Sequence, residues 1–542
     1  MGFFQKVIRK IGSGHENAGQ DALREQTGAE PKEPLKSGLK DNLGRIREQL
    51  GNSSDIIVRE MRIGQSGRQR AGIVYADGLA DKTAINDFIL ETLTKHSDLL
   101  YAEDQLVSGP ELIGALKEDI LPVDDLKYIT DFETLYTAVL SGETVILLDG
   151  ISQGISVSTQ GWKDRGVTEN SAESVVRGPR EAFTETLRTN TAQIRRKIKN
   201  PNLWLETKTI GRQTKTDVAI MFIQGIANEG VVKEVRERLN RIDIDGILES
   251  GYIEELIQDE TVTPFPTIYN TERPDVVAAE LLEGKVAILV DGTPFVLIVP
   301  AILVSFFHSA EDYYHPAGIS SLVRLLRYVG SFIALLGPSL YVAITTFHQE
   351  MLPTPLLISL ASQREGIPFP AFVEAVLMEV AFEILREAGL RMPRTIGPAV
   401  SIVGTLVIGQ AAVEAGIVSA AMVIVVSTTA ISSFVFPSYS LSNAFRMLRF
   451  PMMALAGCFG LLGIIVGVIA IILHLSSLRT FGVPYLSPFA PFIPSDQGDT
   501  IFRLPHWALL TRPRLISQSN VYRKRNMPDP KPKSRQEQKR PQ

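Results

Sequence analysis

Four glutamates, Glu374, Glu379, Glu383 and Glu387, punctuate the otherwise apolar segment GIPFPAFVEAVLMEVAFEILREAG at 366–389. On a helix the last three fall within an arc of about 80°, with apolar side chains opposite. Carboxylates at membrane depth are costly unless they face water or a partner, and a ring of them is one way to build a path for cations. Glu374, Glu379 and Glu383 are therefore candidates for an ion path. The competing reading is an interfacial helix whose acidic face meets the cytosol. A second charged run, RGPREAFTETLRTNTAQIRRKIKNPNL at 177–203, carries Arg180, Arg188, Arg195, Arg196, Lys197 and Lys199. It suits acidic lipid headgroups or an acidic neighbouring subunit, and a solvated helix face is the plain alternative.

Catalytic chemistry is poorly supplied. Gly150-Ile-Ser-Gln-Gly154 matches the spacing of a hydrolase nucleophile elbow, but an elbow must lead from a strand into a helix, and here a second strand follows Ser152. Gly12-Ser13-Gly14 opens like a dinucleotide loop without a preceding strand, and there is no phosphate-binding P-loop. The seven histidines never pair at metal-ligand spacing, and the single cysteine, Cys458, excludes an intrachain disulfide. No catalytic residue, metal, cofactor or nucleic-acid partner is expected.

The elements that must position these groups divide into two regions. The 542 residues exceed one core, and a 45% hydrophobic fraction beside 21% charge points to segregation along the chain. Charges are dense up to about residue 285, whereas long apolar runs fill roughly 322–475. The N-terminus lacks a secretory signal, since Lys6, Arg9 and Lys10 interrupt its apolar residues, so the first region is expected on the cytosolic side. Phe3, Phe4, Val7, Ile8 and Ile11 share a helical face that suits a membrane surface or a frayed end.

The first region contains a repeat. LSGETVILLDG at 140–150 returns as LEGKVAILVDG at 282–292, and GRQRAGIVYADGLAD at 67–81 resembles GRQTKTDVAIMFIQGIAN at 211–228. Asp-Gly between β-rich runs predicts a tight hairpin at each site. The fold class is thus a membrane protein with two tandem cytosolic α/β subdomains, an α-helical multi-span domain of about four to five spans, and a basic cytosolic tail. Expected boundaries are a flexible polar arm at 1–52, subdomains at 53–180 and 201–300 joined by a basic linker helix at 181–200, a transmembrane domain at 301–480 and a Pro-rich, then basic, tail at 481–542. The second copy runs on into TPFVLIVPAILVSFFH, read as a strand entering the membrane interface. Spans are expected at 328–347, 396–412, 417–436 and 452–475, the last carrying Gly463 and Gly467 four apart as a helix-packing pair. From Arg503 onward eleven Lys and Arg face only Asp529 and Glu537, which favours four spans with both termini inside.

The runs RGPREAFTETLRTNTAQIRRKIKNPNL, TERPDVVAAELLEGKVAILVDGTPFVLIVPA, REGIPFPAFVEAVLMEVAFEILREAG and SLRTFGVPYLSPFAPF, in this order, resemble the A subunit of the GerA-type spore germination receptors over roughly residues 50–495. The resemblance implies a spore inner-membrane protein that acts with a multi-span, nutrient-binding B-type subunit and a C-type lipoprotein. It further implies a homo-oligomeric ring, a pentamer, that forms a nutrient-gated cation channel and is surrounded by membrane lipid. Two alternatives stand beside it: a paralogue that amplifies ion release without sensing nutrient, and a membrane signalling scaffold that does not conduct.

Overall fold

The Asp-Gly turns organise both α/β units. The computed structural model describes residues 33–63, 69–86, 101–102, 105–106, 126–161, 173, 175–391, 409–518 and 520–523. These fall into two units, the first built from 33–47, 57–76 and 80–160, the second from 48–56, 77–79 and everything from 161 onward. The N-terminal face of Phe3 to Ile11, Gly12-Ser13-Gly14, most of the expected span at 396–412, and the basic cluster beyond 523 lie outside the described residues.

In the first unit, strands β1 (Ile56–Ile63), β2 (Gln69–Ala76), β3 (Leu126–Ile129), β4 (Thr144–Leu148) and β5 (Gly154–Val157) form a sheet in the order β1-β2-β4-β5-β3. The β4–β5 hairpin pairs Ile146 with Ile155 and turns at Asp149-Gly150, where Gly150 takes φ 87°, a region glycine enters without a Cβ penalty. Every residue of both strands is buried, although polar residues alternate with apolar ones in ISQGISVSTQ and suggest a half-exposed strand; Ile155 and Val157 join the core of Ile63, Ile73 and Ile146.

The second unit repeats the plan. Strands β6 (Leu203–Ile210), β7 (Thr216–Ile223), β8 (Tyr269–Thr271), β9 (Val286–Val290) and β10 (Val296–Val299) lie in the order β6-β7-β9-β10-β8. The same succession of strands therefore builds both sheets. The likeness extends to atoms. Asp149 Oδ1 accepts from Leu39 N at 3.0 Å and caps helix α1 (Leu39–Gln49); Asp291 Oδ1 accepts from Leu187 N at 2.9 Å and caps helix α3 (Leu187–Lys197), where α2 is Phe132–Leu140. Asn42 and Asn190 each bind the backbone six residues upstream through both ends of the amide.

Two expected boundaries move as a result. Residues 39–49 are not part of a featureless arm, because Leu39, Leu43 and Ile46 are buried. Nor is 181–200 a linker: α3 is the corresponding first helix of the second repeat and buries Leu187 and Ile194 in its core.

Both faces of the second sheet are covered, which explains the unbroken apolar run VAIMFI in β7. Helices α4 (Glu229–Arg241) and α5 (Ser250–Ile257) pack Val235, Leu239, Ile253 and Ile257 on one face. On the other, α3 and α6 (Pro274–Leu282) share a core with Phe306, Phe307, Leu441, Leu475 and Tyr485. The run after β10 is thus apolar because protein covers it, not because it enters lipid: Ala301, Val304, Phe306 and Phe307 are buried. Likewise 478–523 is not a free tail. Tyr485 donates to Pro266 O at 2.8 Å, Arg512 to Leu282 O at 2.7 Å and Ser517 to Ile226 O at 2.8 Å, strapping it to the second α/β unit.

The helical region comprises α7 (Ala317–Phe347), α8 (Thr354–Arg364), α9 (Ala371–Arg391), α10 (Ala420–Ser433) and α11 (Tyr439–Ser477). By length and composition α7 and α11 are long and apolar enough to cross a membrane. The expected uninterrupted span at 452–475, however, is broken. Gly460 sits at φ 60°, ψ −140°, and a Cβ on Gly467 would lie 2.5 Å from Met452 Sδ. Fifteen residues of straight helix would separate those positions by about 22 Å, so the chain reverses at Gly460 into a hairpin of two arms. Its tip meets Phe347 and His348 at the end of α7.

Candidate functional site

The acidic helix α9 runs beside the first arm of α11. Glu379 is 0% exposed and Arg449 1%, with Arg449 Nη1 donating to Glu379 Oε2 at 2.5 Å. One turn further, Arg446 Nε donates to Glu383 Oε1 at 2.8 Å and a second guanidinium nitrogen reaches Oε2. Glu374, at the start of the helix, accepts from Ser419 N and Oγ, both at 2.5 Å, and so holds the N-terminus of α10. Glu387 is exposed and pairs with Arg391 on its own helix. The three ion-path candidates therefore point into the bundle of one chain, each against a partner. The spacing of the acids, i and i+4, matches the basic pair at i and i+3 on the facing antiparallel arm.

Arg449 is drawn inward by a second acceptor. Pro338 inside α7 has no N–H, which leaves Ala334 O without its helical donor, and Arg449 Nε supplies one at 2.7 Å. A buried charge thus repairs a proline gap in one helix while pairing with a carboxylate on another. Glu379 Oε1 and Arg449 Nη2 remain buried without a hydrogen-bond partner.

Gly463 and Gly467 line the seam of the hairpin: a Cβ on Gly463 would stand 2.2 Å from Leu455 O. The close approach is within one chain.

The basic run is dispersed by the fold. Arg195 is not a surface contact: its guanidinium forks onto Asp55, Nε to Oδ2 at 2.6 Å and Nη2 to Oδ1 at 2.9 Å, and Nη1 donates to Leu203 O at 2.7 Å, all in the interior. Arg196 and Lys197 both pair with Glu181. Arg188 is half-buried, and Arg180 and Lys199 are exposed. Ser152 lies between two strands, away from any elbow geometry. Among the described residues no group of His, Cys, Asp and Glu is placed to hold a metal.

A polar joint at the start of α7 was not singled out by sequence. Arg324 donates from Nε to Asp312 Oδ2 at 2.9 Å and from Nη1 to Asp499 Oδ1 at 2.7 Å, while Arg327 Nη1 reaches Asp312 Oδ2 at 2.7 Å and Tyr313 OH donates to Asp499 Oδ2 at 2.8 Å. Burial pushes the Asp499 carboxyl up, against the pull of Arg324. Burial, reinforced by Arg324, Lys285 and Arg327, holds His308 well below the usual imidazole range and therefore neutral. Arginines at the head of an apolar helix were the available signal, but only the fold reveals that Asp499, 175 residues away, completes the set.

A duplicated α/β module is joined to a helical bundle in which α7 and, by length and composition, α11 are apolar and long enough to cross a membrane. The chain belongs to the Bacillus/Clostridium GerA spore germination protein family, whose profile matches residues 44–515. It is 49% identical to Spore germination protein KA of Bacillus subtilis (strain 168), over 92% of this chain and 90% of that one. It is 43% identical to the Uncharacterized membrane protein YfkQ of the same organism, over 92% and 95%. Among solved structures it is similar to the N-terminal domain of the A subunit of the Bacillus megaterium spore germinant receptor GerK3, at 47% identity and TM-score 0.40, over 50% of this chain and 98% of that one.

Proposed function

We propose that the chain is the A-type subunit of a nutrient germinant receptor in the spore inner membrane. In this reading several copies, five by the family resemblance, form a ring. The ring opens a path for monovalent cations when a B-type multi-span subunit binds nutrient, with a C-type lipoprotein completing the receptor. The α/β units face the cytosol, and the helices at 301–480 supply the spans. A germination role rests on family membership. The conducting role is carried by one observation: three carboxylates, Glu374, Glu379 and Glu383, set within an apolar bundle where a charge is retained only at considerable cost.

The test is potassium release from membranes bearing the full chain and its partner subunits. Glu383→Gln is the informative variant, because Glu383 is partly accessible and its loss leaves Arg446 bonded to Asn443. Lower nutrient-triggered release with unchanged assembly supports the reading; unchanged release and ion preference reject Glu383 as a path residue. A second reading, a paralogue that amplifies release, is motivated by the strong likeness to a relative whose name carries no germination role. It predicts release in response to prior ion efflux but none to nutrient.

A further inference from the structure

Helix α9 changes character halfway along. Up to Glu379 it buries Ala371, Glu374, Ala375 and Met378. Beyond Glu379 none of its residues is buried, Val380, Ile384 and Leu390 are exposed, and Phe382 packs half-buried against the bundle core. What holds residues 380–391 among the described residues is therefore mainly polar. Glu383 pairs with Arg446, and the Arg386 guanidinium lies 5.4 Å from the Tyr439 ring and 6.0 Å from the Phe434 ring. The two ion pairs of the site thus differ. Glu379–Arg449 is sealed inside and tied to the carbonyl freed by Pro338, so it anchors the helix. Glu383–Arg446 is 22% and 18% exposed and reachable by water.

We infer that residues 380–391 form an arm hinged above the Glu379–Arg449 anchor and latched to the first arm of α11 by Arg446, and that releasing the latch presents Glu383 to cations. The second half of the statement rests on the conducting role proposed above; the first does not. Arg446 is a positioning residue here. In the latched state its guanidinium neutralises Glu383, and once the arm lifts the carboxylate is free. Little apolar area has to be exposed for this movement, because the arm buries little. An arm held by apolar packing would not respond to the loss of one charge.

The experiment uses the full-length chain in its membrane, with Cys458→Ser removing the single native thiol and Ala388→Cys placing a reporter on the arm. The rate of labelling by a membrane-impermeant maleimide is measured beside basal potassium release. Arg446→Gln should raise labelling about tenfold, the shift expected of a two-state equilibrium that loses one such contact, and raise basal release without nutrient. Arg446→Lys keeps the charge but not the two-pronged contact with Glu383, so its labelling should fall between the parent and the Gln variant. Should the Gln variant assemble poorly, Glu383→Gln breaks the same contact from the other side and should raise labelling equally. Unchanged labelling in both neutral variants overturns the arm. Faster labelling of the Arg446→Gln variant, with no cation release from it or from the nutrient-treated parent, upholds the arm and rejects the conducting role.

Discussion

Replacing Gly460 by alanine separates a hairpin from a straight span by the sign of its effect. In a continuous helix Gly→Ala stabilises by about 1 kcal/mol. At φ 60°, ψ −140° alanine instead enters a region open almost only to glycine, at a cost of about 1–3 kcal/mol. Its Cβ would also stand 2.8 Å from His348 Cε1 and 3.1 Å from Phe347 Cβ, and crowding of that kind costs about 1–3 kcal/mol. The net expectation is destabilisation by about 2–4 kcal/mol. Thermal unfolding of the full chain in detergent reads it as a melting temperature lower by about 2–4 °C. The substitution His348→Ala, which makes room, should recover part of the loss. An unchanged or raised melting temperature for Gly460→Ala would falsify the reversal and restore a single span through this position.

Three further outcomes follow from the same geometry. Arg195→Met strands Asp55 in the interior and should destabilise the fold by about 3–5 kcal/mol, most of it recovered by adding Asp55→Leu; equal stability of the single variant in denaturant titration contradicts the buried fork. Asp291→Ala and Asp149→Ala should each loosen the helix they cap by about 1 kcal/mol, seen as faster amide exchange at Leu187 and Leu39 respectively. Burial raises the Glu173 carboxyl to about 7, opposed by a 2.6 Å bond to Thr271. Because the folded state holds this proton more tightly than the unfolded one, the contribution is present below about pH 4.5 and is lost as pH rises through about 7, amounting to about 3 kcal/mol. Glu173→Gln should flatten that part of the stability profile, and a profile unchanged by the substitution removes Glu173 as its source.

The duplicated strands were legible because Asp-Gly turns and alternating runs are local signals. The duplicated first helix was also written in the sequence, as Leu-x-x-Asn-x-x-x-Ile-Arg at Leu39 and again at Leu187. The dense charge of 177–203 masks it, because a basic run reads equally as a surface patch. Charge alone does not distinguish Arg195, sealed against Asp55, from Lys199 on the surface; the distinction depends on a partner 140 residues away. The acidic stripe on α9 was read from its period, but its partners Arg446 and Arg449 belong to another helix, and the inward pull on Arg449 comes from a proline in a third. Gly460 was invisible for a simpler reason. A glycine in an apolar run is equally compatible with close packing and with a turn, and only the contact of Gly467 with Met452 decides.

The most direct test of the central claim is potassium efflux from liposomes containing the full chain and its partner subunits, recorded on addition of nutrient. The account predicts efflux that requires both nutrient and this chain and that falls when Glu383 is replaced by Gln in a correctly assembled protein. Nutrient binding without any efflux from such liposomes would contradict it and assign this chain a non-conducting role.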